Sequence, residues 1–435
     1  AKLVGIFLIC ANSFLVWHLL VSTTGKYAYA SIGTALIILS PQFVDLHSVA
    51  MSEPLFTTCI LLSLLALIAY WNTDKRLWLL GCGVAIGVAA LVRFTAPPLG
   101  AAIALGLLLD RRHRLTQRLI DAGIVSAVCA LIFAIWAILS AVIIGRVTGR
   151  AFGFYGNMDD RAWQTYFNTL MSWLLPSQFP IVVRAALLSI FFIGCLCLLF
   201  WHSRSALQQS RDSSAANALL PIVLSFFFLF YMGFVLLACN IEANLTLTGR
   251  YGFPAYFTTI IMLTCVPANT AKSHVRAKYT YRAFAGLAVI VLLSHIARTL
   301  EKTHKAFENG IGYASPSWLS SPAIQSVRRL PAGSTIYSNG PDAIHFLLRR
   351  PADYIPSHVH ERTGLEDPAN PFRSQVTHLR DLPRAGNIYI VFFDRIDWRF
   401  YLASESELVD LLNLKLVDRR RDGRVYKMSR PPLNE

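Results

Sequence analysis

The sequence predicts an all-α polytopic membrane domain over residues 1–297, followed by a small α/β domain over residues 298–435. Three observations carry this reading. Apolar residues make up 54% of the 435 residues and charged residues only 15%, where soluble chains carry about a quarter charged residues. The deficit is uneven, with charges sparse before about residue 300 and dense after it. Ten apolar stretches approach the ~20 residues a helix needs to cross a bilayer.

In order, these stretches are residues 3–22, 27–44, 54–71, 77–92, 95–109, 119–145, 181–201, 218–239, 251–267 and 283–297. The fifth is short and contains Pro97-Pro98, which predicts a tilted or broken helix joined closely to the fourth. Basic residues collect on alternate loops. One side takes Lys26, Lys75, Arg76, four arginines from Arg111 to Arg118, Arg204, Arg211 and four residues from Lys272 to Arg282. The other side holds arginines alone: Arg93, Arg146, Arg150, Arg161, Arg184 and Arg250. The richer side is expected to be cytoplasmic, which places residues 45–53 and the C-terminal domain outside. Ala1 then also starts outside, in an apolar run, and the expectation is that a helix and an outer loop precede it.

Residues 146–180 form a long outer segment in which Phe152, Phe154, Tyr155, Trp163, Tyr166, Phe167 and Trp173 mix with Asp159, Asp160 and Arg161. Residues 160–175 read either as an amphipathic helix on the membrane surface or as a packed connector. Asp159-Asp160 is read as a surface pair. In the C-terminal domain, Ser334–Ser338 and Ile388–Phe393 are strand signals, and Pro341–Arg350 and Glu405–Leu414 are helical. Leu416–Arg420 and Arg424–Met428 flank Asp422-Gly423 as a hairpin. Asn339-Gly340-Pro341 is a turn. His345, His358 and His360 are isolated and read as ordinary histidines.

The formal charge of +15 would point to nucleic acid in a soluble chain. Here the charge lies in loops between apolar stretches, and no zinc-finger spacing, phosphate loop or RNA-binding signature accompanies it, so no nucleic-acid partner is expected. The eight cysteines all fall in or beside apolar stretches. They read as small packing residues, with neither a disulfide framework nor a metal spacing.

The most informative stretch runs from Ser40 to Phe56. Glu53 opens a long apolar helix, and from the residues alone it has two readings. A carboxylate at a membrane boundary is costly to desolvate and often functional. Equally, Ser52 suits an N-cap, Glu53 the positive end of the helix dipole, and Pro54 the first turn.

Ser40-Pro41 closing one helix and Ser52-Glu53-Pro54-Leu55-Phe56 opening the next resemble the bacterial polyprenyl-phosphate-sugar glycosyltransferases of the membrane-embedded GT-C fold. These are relatives of protein O-mannosyltransferases and of the aminoarabinose transferase that modifies lipid A. Gly249-Arg250-Tyr251-Gly252-Phe253-Pro254 resembles a second pattern of that family, Val92-Arg93-Phe94 the basic end of an earlier helix, and Leu330–Asn339 the start of the outer domain. The resemblance implies transfer of a hexose or pentose from a polyprenyl-phosphate donor to a hydroxyl of a glycan, lipid or protein. The reaction would take place outside the cytoplasmic membrane. It makes Glu53 the catalytic candidate and Arg250 the donor-phosphate ligand. Arg93, His47, Asp45 and Tyr251 join as substrate-binding residues. It puts the family's principal catalytic acid in a first outer loop upstream of residue 1. No cofactor is identified; some relatives use a divalent ion, and no ligand cluster for one is visible here. A transporter or flippase would show inverted repeats and charges at mid-membrane depth, and neither is found. A non-catalytic scaffold with an outer binding domain is the other alternative.

Overall fold

A computed structural model describes residues 2–49, 51–145, 160–208, 215–241, 247–270, 274–361, 364–382 and 387–428. Arg146, Arg150, Arg211, Lys272, Asp159 and the aromatics Phe152, Phe154 and Tyr155 lie outside them. The chain separates into two compact units, one built from the helices up to Lys302 and one from Thr303 onward.

The first unit contains α1 (Lys2–Thr24), α2 (Tyr27–Ile38), α3 (Pro41–Ser48), α4 (Glu53–Thr73), α5 (Leu77–Val92) and α6 (Pro97–Leu109). It continues with α7 (Leu115–Ile144), α8 (Asp160–Met171), α9 (Ile181–Gln208), α10 (Ala215–Ile241) and α11 (Gly249–Thr270). The start of α12 (His274–Asn309) completes it. Each of the ten apolar stretches is helical. Among the described residues, seven helices are long and apolar enough to cross a membrane, or eight if the bent pair α2–α3 counts as one span. The protein is a multi-pass membrane protein.

The second stretch is not one straight helix, as its apolar run implied. It breaks at Leu39–Ser40, and α3 leaves α2 at 58°. Ser40 causes the restart: its hydroxyl accepts the Phe43 N–H, and Pro41 occupies the first turn of α3, where a missing N–H costs nothing. The segment at residues 45–53 is therefore helical up to Ser48. The α5 and α6 helices are only 16 and 13 residues long, and Arg93–Ala96 makes the tight corner expected between them. The α8 helix ends at Met171, short of residue 175, with Tyr166 and Leu170 buried and Trp163 and Phe167 exposed.

The α11 helix is the centre of the unit, with Phe253, Tyr256, Phe257 and Ile261 buried. Outer helices instead expose large apolar side chains, such as Leu131 and Ile138 on α7, Ile190 on α9 and Ile290 on α12. That is the surface lipid would cover. Small residues bring helices together. A Cβ added at Gly106 of α6 would lie 2.2 Å from a methyl of Val223 on α10.

The second unit holds a 3-10 turn (Gly312–Ala314), α13 (Pro316–Leu319), α14 (Pro322–Arg328), β1 (Thr335–Ser338) and α15 (Pro341–Leu348). After these come β2 (Asp353–Tyr354), α16 (Phe372–Asp381), β3 (Ile388–Phe393), α17 (Glu405–Leu412), β4 (Leu414–Arg420) and β5 (Gly423–Met428). The sheet order is β2-β1-β3-β5-β4. The first three strands are parallel, and β5 runs antiparallel to both β3 and β4. The β3 strand is buried at every position, as a continuous apolar run predicts. Ile390 and Phe392 pack with Val376 and Leu408 on one face, and Tyr389, Val391 and Phe393 with Ile324 and Ile344 on the other. The hairpin at Asp422-Gly423 is present; β2, α14 and α16 are additions to the sequence reading.

Candidate active site

Three corners of the helical unit meet at one carboxylate. Glu53 is the first residue of α4, and Ser52 makes no side-chain capping bond there. Glu53 is not a solvated dipole residue, since only 2% of it is exposed. Arg93 caps the C-terminal end of α5 in an extended conformation, and its side chain is also buried. Arg250 is the second residue of α11 and is 44% exposed. Arg93 Nη1 donates to Glu53 Oε1, and Arg250 Nε lies 2.9 Å from the same oxygen. Tyr251 completes the group. Its ring lies under both guanidiniums, 4.9 Å from that of Arg93 and 5.0 Å from that of Arg250. The Tyr231 hydroxyl of α10 donates to the Tyr251 carbonyl at 2.9 Å.

Two guanidiniums and one carboxylate leave one formal positive charge. Burying a charge is costly unless it is paired, and Glu53 meets that demand for Arg93. The excess sits on the half-exposed Arg250, the form in which a planar guanidinium can still take an oxyanion.

His47 and Asp45 are placed elsewhere. Both ring nitrogens of His47 are engaged: Nδ1 with the Phe43 carbonyl at 2.8 Å, and Nε2 with Asn12 Nδ2 at 3.0 Å. Asn12 also donates to the Pro54 carbonyl at 2.9 Å and accepts from the Thr58 hydroxyl at 2.7 Å. His47 thus supports the first turn of α4 through Asn12. Asp45 pairs with Lys302 of α12 at the surface. Asn12 and Tyr231 were missed from the sequence. Asn12 carried a signal, being an amide within an apolar span; Tyr231, in an aromatic-rich run, carried none. Among the described residues, no group of three His, Cys, Asp or Glu side chains gathers to hold a metal ion.

Residues 1–140, which include Glu53 and Arg93, match the family of dolichyl-phosphate-mannose-protein mannosyltransferases. The whole chain is similar in structure to ArnT from Cupriavidus metallidurans bound to undecaprenyl phosphate. The TM-score is 0.55 at 12% identity, covering 98% of this chain and 84% of ArnT. The chain has a GT-C glycosyltransferase fold. The same ArnT in its apo state gives a TM-score of 0.52 at 11% identity, covering 98% and 83%. A third structure, the arabinofuranosyltransferase AftD from Mycobacteria, gives 0.50 at 14% identity; the match covers 98% of this chain but 33% of AftD. No curated protein sequence matches the chain. The GT-C likeness embraces both units, helical and α/β.

Proposed function

We propose that the protein is a membrane glycosyltransferase that takes a sugar from a polyprenyl-phosphate donor and passes it to a hydroxyl acceptor on the extracytoplasmic face. The observation that carries this is the Glu53–Arg93–Arg250 group with its unmatched positive charge. The structural likeness to ArnT with undecaprenyl phosphate and the mannosyltransferase match over residues 1–140 support the donor class.

In this reaction the acceptor oxygen bonds to the anomeric carbon, and the bond from that carbon to the phosphate oxygen breaks. The acceptor proton passes to a base. The lipid phosphate changes from diester to monoester and gains negative charge as it leaves. Arg250, half-exposed and carrying the unmatched charge, is the group that would meet it, since positive groups fixed in advance stabilise such a departure. Glu53 and Tyr251 hold the guanidinium plane. Glu53 serves as a positioning carboxylate rather than the base, since its Oε1 already receives both arginines.

The test is binding of undecaprenyl phosphate to the purified protein, with undecaprenol as the uncharged control. Arg250→Ala should weaken phosphate binding by about 1.5–3 kcal/mol, the worth of a charge-assisted hydrogen bond. It should leave the alcohol unaffected. Equal binding of phosphate and alcohol would sink the reading. Transfer of labelled sugar from the corresponding donor in membranes is the second readout, and it should fall in the same variant.

A further inference from the structure

We propose that the C-terminal unit carries a carbohydrate-binding cleft at the carboxyl ends of β1 and β3. The inference concerns this unit alone and stands apart from the reading of the helical site.

The topology places the cleft. The chain leaves β1 to form β2 on one side, then crosses to form β3 on the other. Loops leaving two parallel strands in opposite directions open a crevice between them, the usual ligand position in such sheets. A cleft of about 320 Å³ lies there, bounded by Asn339 after β1, Asp394, Asp397, Arg399 and Phe400 after β3, and Arg424 of β5. That volume is within the range of small-ligand sites. Gly340 allows the two loops to close at its base, since a Cβ there would lie 2.2 Å from Cδ1 of Ile396.

Its lining is chemically specific. Arg399 is buried, with Nη1 on the Asn339 carbonyl at 2.6 Å and Nη2 on Asp342 at 3.0 Å. Its Nε has no partner among the described residues. The guanidinium packs against the rings of Trp398 and Tyr354, 4.6 and 4.9 Å from their centroids. Arg424 is held between Glu405, at 2.5 Å, and Asp394, at 2.6 Å. Asp397 is exposed at the rim, and beside it Phe400 is 63% exposed.

These groups select against an anion. Asp394, Asp397 and Glu405 outnumber the two arginines in the cleft, and both arginines are already paired. What remains is a set of carboxylate acceptors beside the exposed ring of Phe400. A sugar needs that combination. Its hydroxyls donate to the carboxylates, while the C–H face of the ring covers an aromatic side chain. The ligand class is a neutral glycan.

The experiment is a titration of the full chain, in a detergent without a sugar headgroup, with short neutral cello-, malto-, manno- and arabino-oligosaccharides. Saturation-transfer NMR and calorimetry would report binding. At least one probe should bind. Asp397→Asn and Phe400→Ala, both at exposed positions and checked for an unchanged melting temperature, should each weaken it roughly tenfold. Binding by none of the probes overturns the proposal, as does binding that neither variant changes. Tighter binding of inorganic phosphate than of any oligosaccharide overturns it as well.

Discussion

The guanidinium of Arg93 lies over the ring of Tyr251, 4.9 Å from its centroid. This contact ties the corner after α5 to the first turn of α11, and Arg250 uses the same ring. A desolvated cation–ring contact is worth up to about 2 kcal/mol. Tyr251→Phe keeps the ring and should bind undecaprenyl phosphate as the parent does. Tyr251→Leu removes the ring and should bind it several-fold more weakly. Equal affinities for the two variants would show that the ring positions nothing.

Glu53→Gln deletes the carboxylate that neutralises buried Arg93. Breaking one side of a buried ion pair costs about 3–5 kcal/mol, so the melting temperature in detergent should fall clearly. Adding Arg93→Met to Glu53→Gln should restore part of the loss, because the stranded charge goes with it. A double variant no better than the single would mean that Arg93 finds another partner.

Asn12→Ala strips His47 Nε2 of its partner, while the Thr58 hydroxyl keeps its bond to the Pro54 carbonyl at 3.0 Å. A buried group stripped of its partner costs about 1–3 kcal/mol. The expected result is lower thermal stability together with weaker donor binding, since the first turn of α4 carries Glu53. His47→Leu should cost less in the Asn12→Ala background than alone, which a double-mutant cycle would measure.

Gly106→Ala should destabilise the crossing of α6 and α10 by about 1–3 kcal/mol through overpacking. Val223 is β-branched and has little rotamer freedom with which to yield. Val223→Ala in the same chain should recover most of the loss. Unchanged melting in Gly106→Ala would mean that the two helices separate without cost.

The sequence made the helices legible because a membrane span must be continuously apolar, and each of the ten stretches is helical. The bend after Leu39 was less so: Ser40-Pro41 marked a helix end, but the apolar run continued to Val44 and concealed the change of direction. Glu53, Arg93 and Arg250 could each be picked out by sitting at the end of an apolar run. That they meet at one oxygen could not, because α4, α5 and α11 approach one another only through tertiary packing. His47 and Asp45 looked equivalent to them by proximity to Glu53. A helical turn sends His47 inward to Asn12 and Asp45 toward Lys302. In the C-terminal unit, β2 is two residues long and too short to show any period. The α16 helix announces itself only by Phe372, Val376 and Leu379 recurring at helical spacing among charged neighbours.

The break between α2 and α3 has a consequence for how the protein is made. The Leu36 carbonyl accepts from the Tyr256 hydroxyl at 3.0 Å, and the Leu39 carbonyl from the Thr299 hydroxyl at 2.8 Å. Those partners come 220 and 260 residues later in the chain. At roughly 5–20 residues per second, a ribosome needs on the order of ten to fifty seconds to reach them. Throughout that interval a nascent chain holds an interrupted helix whose completing hydroxyls do not yet exist. The two carbonyls at the break therefore wait for α11 and α12 to be made before these bonds can form.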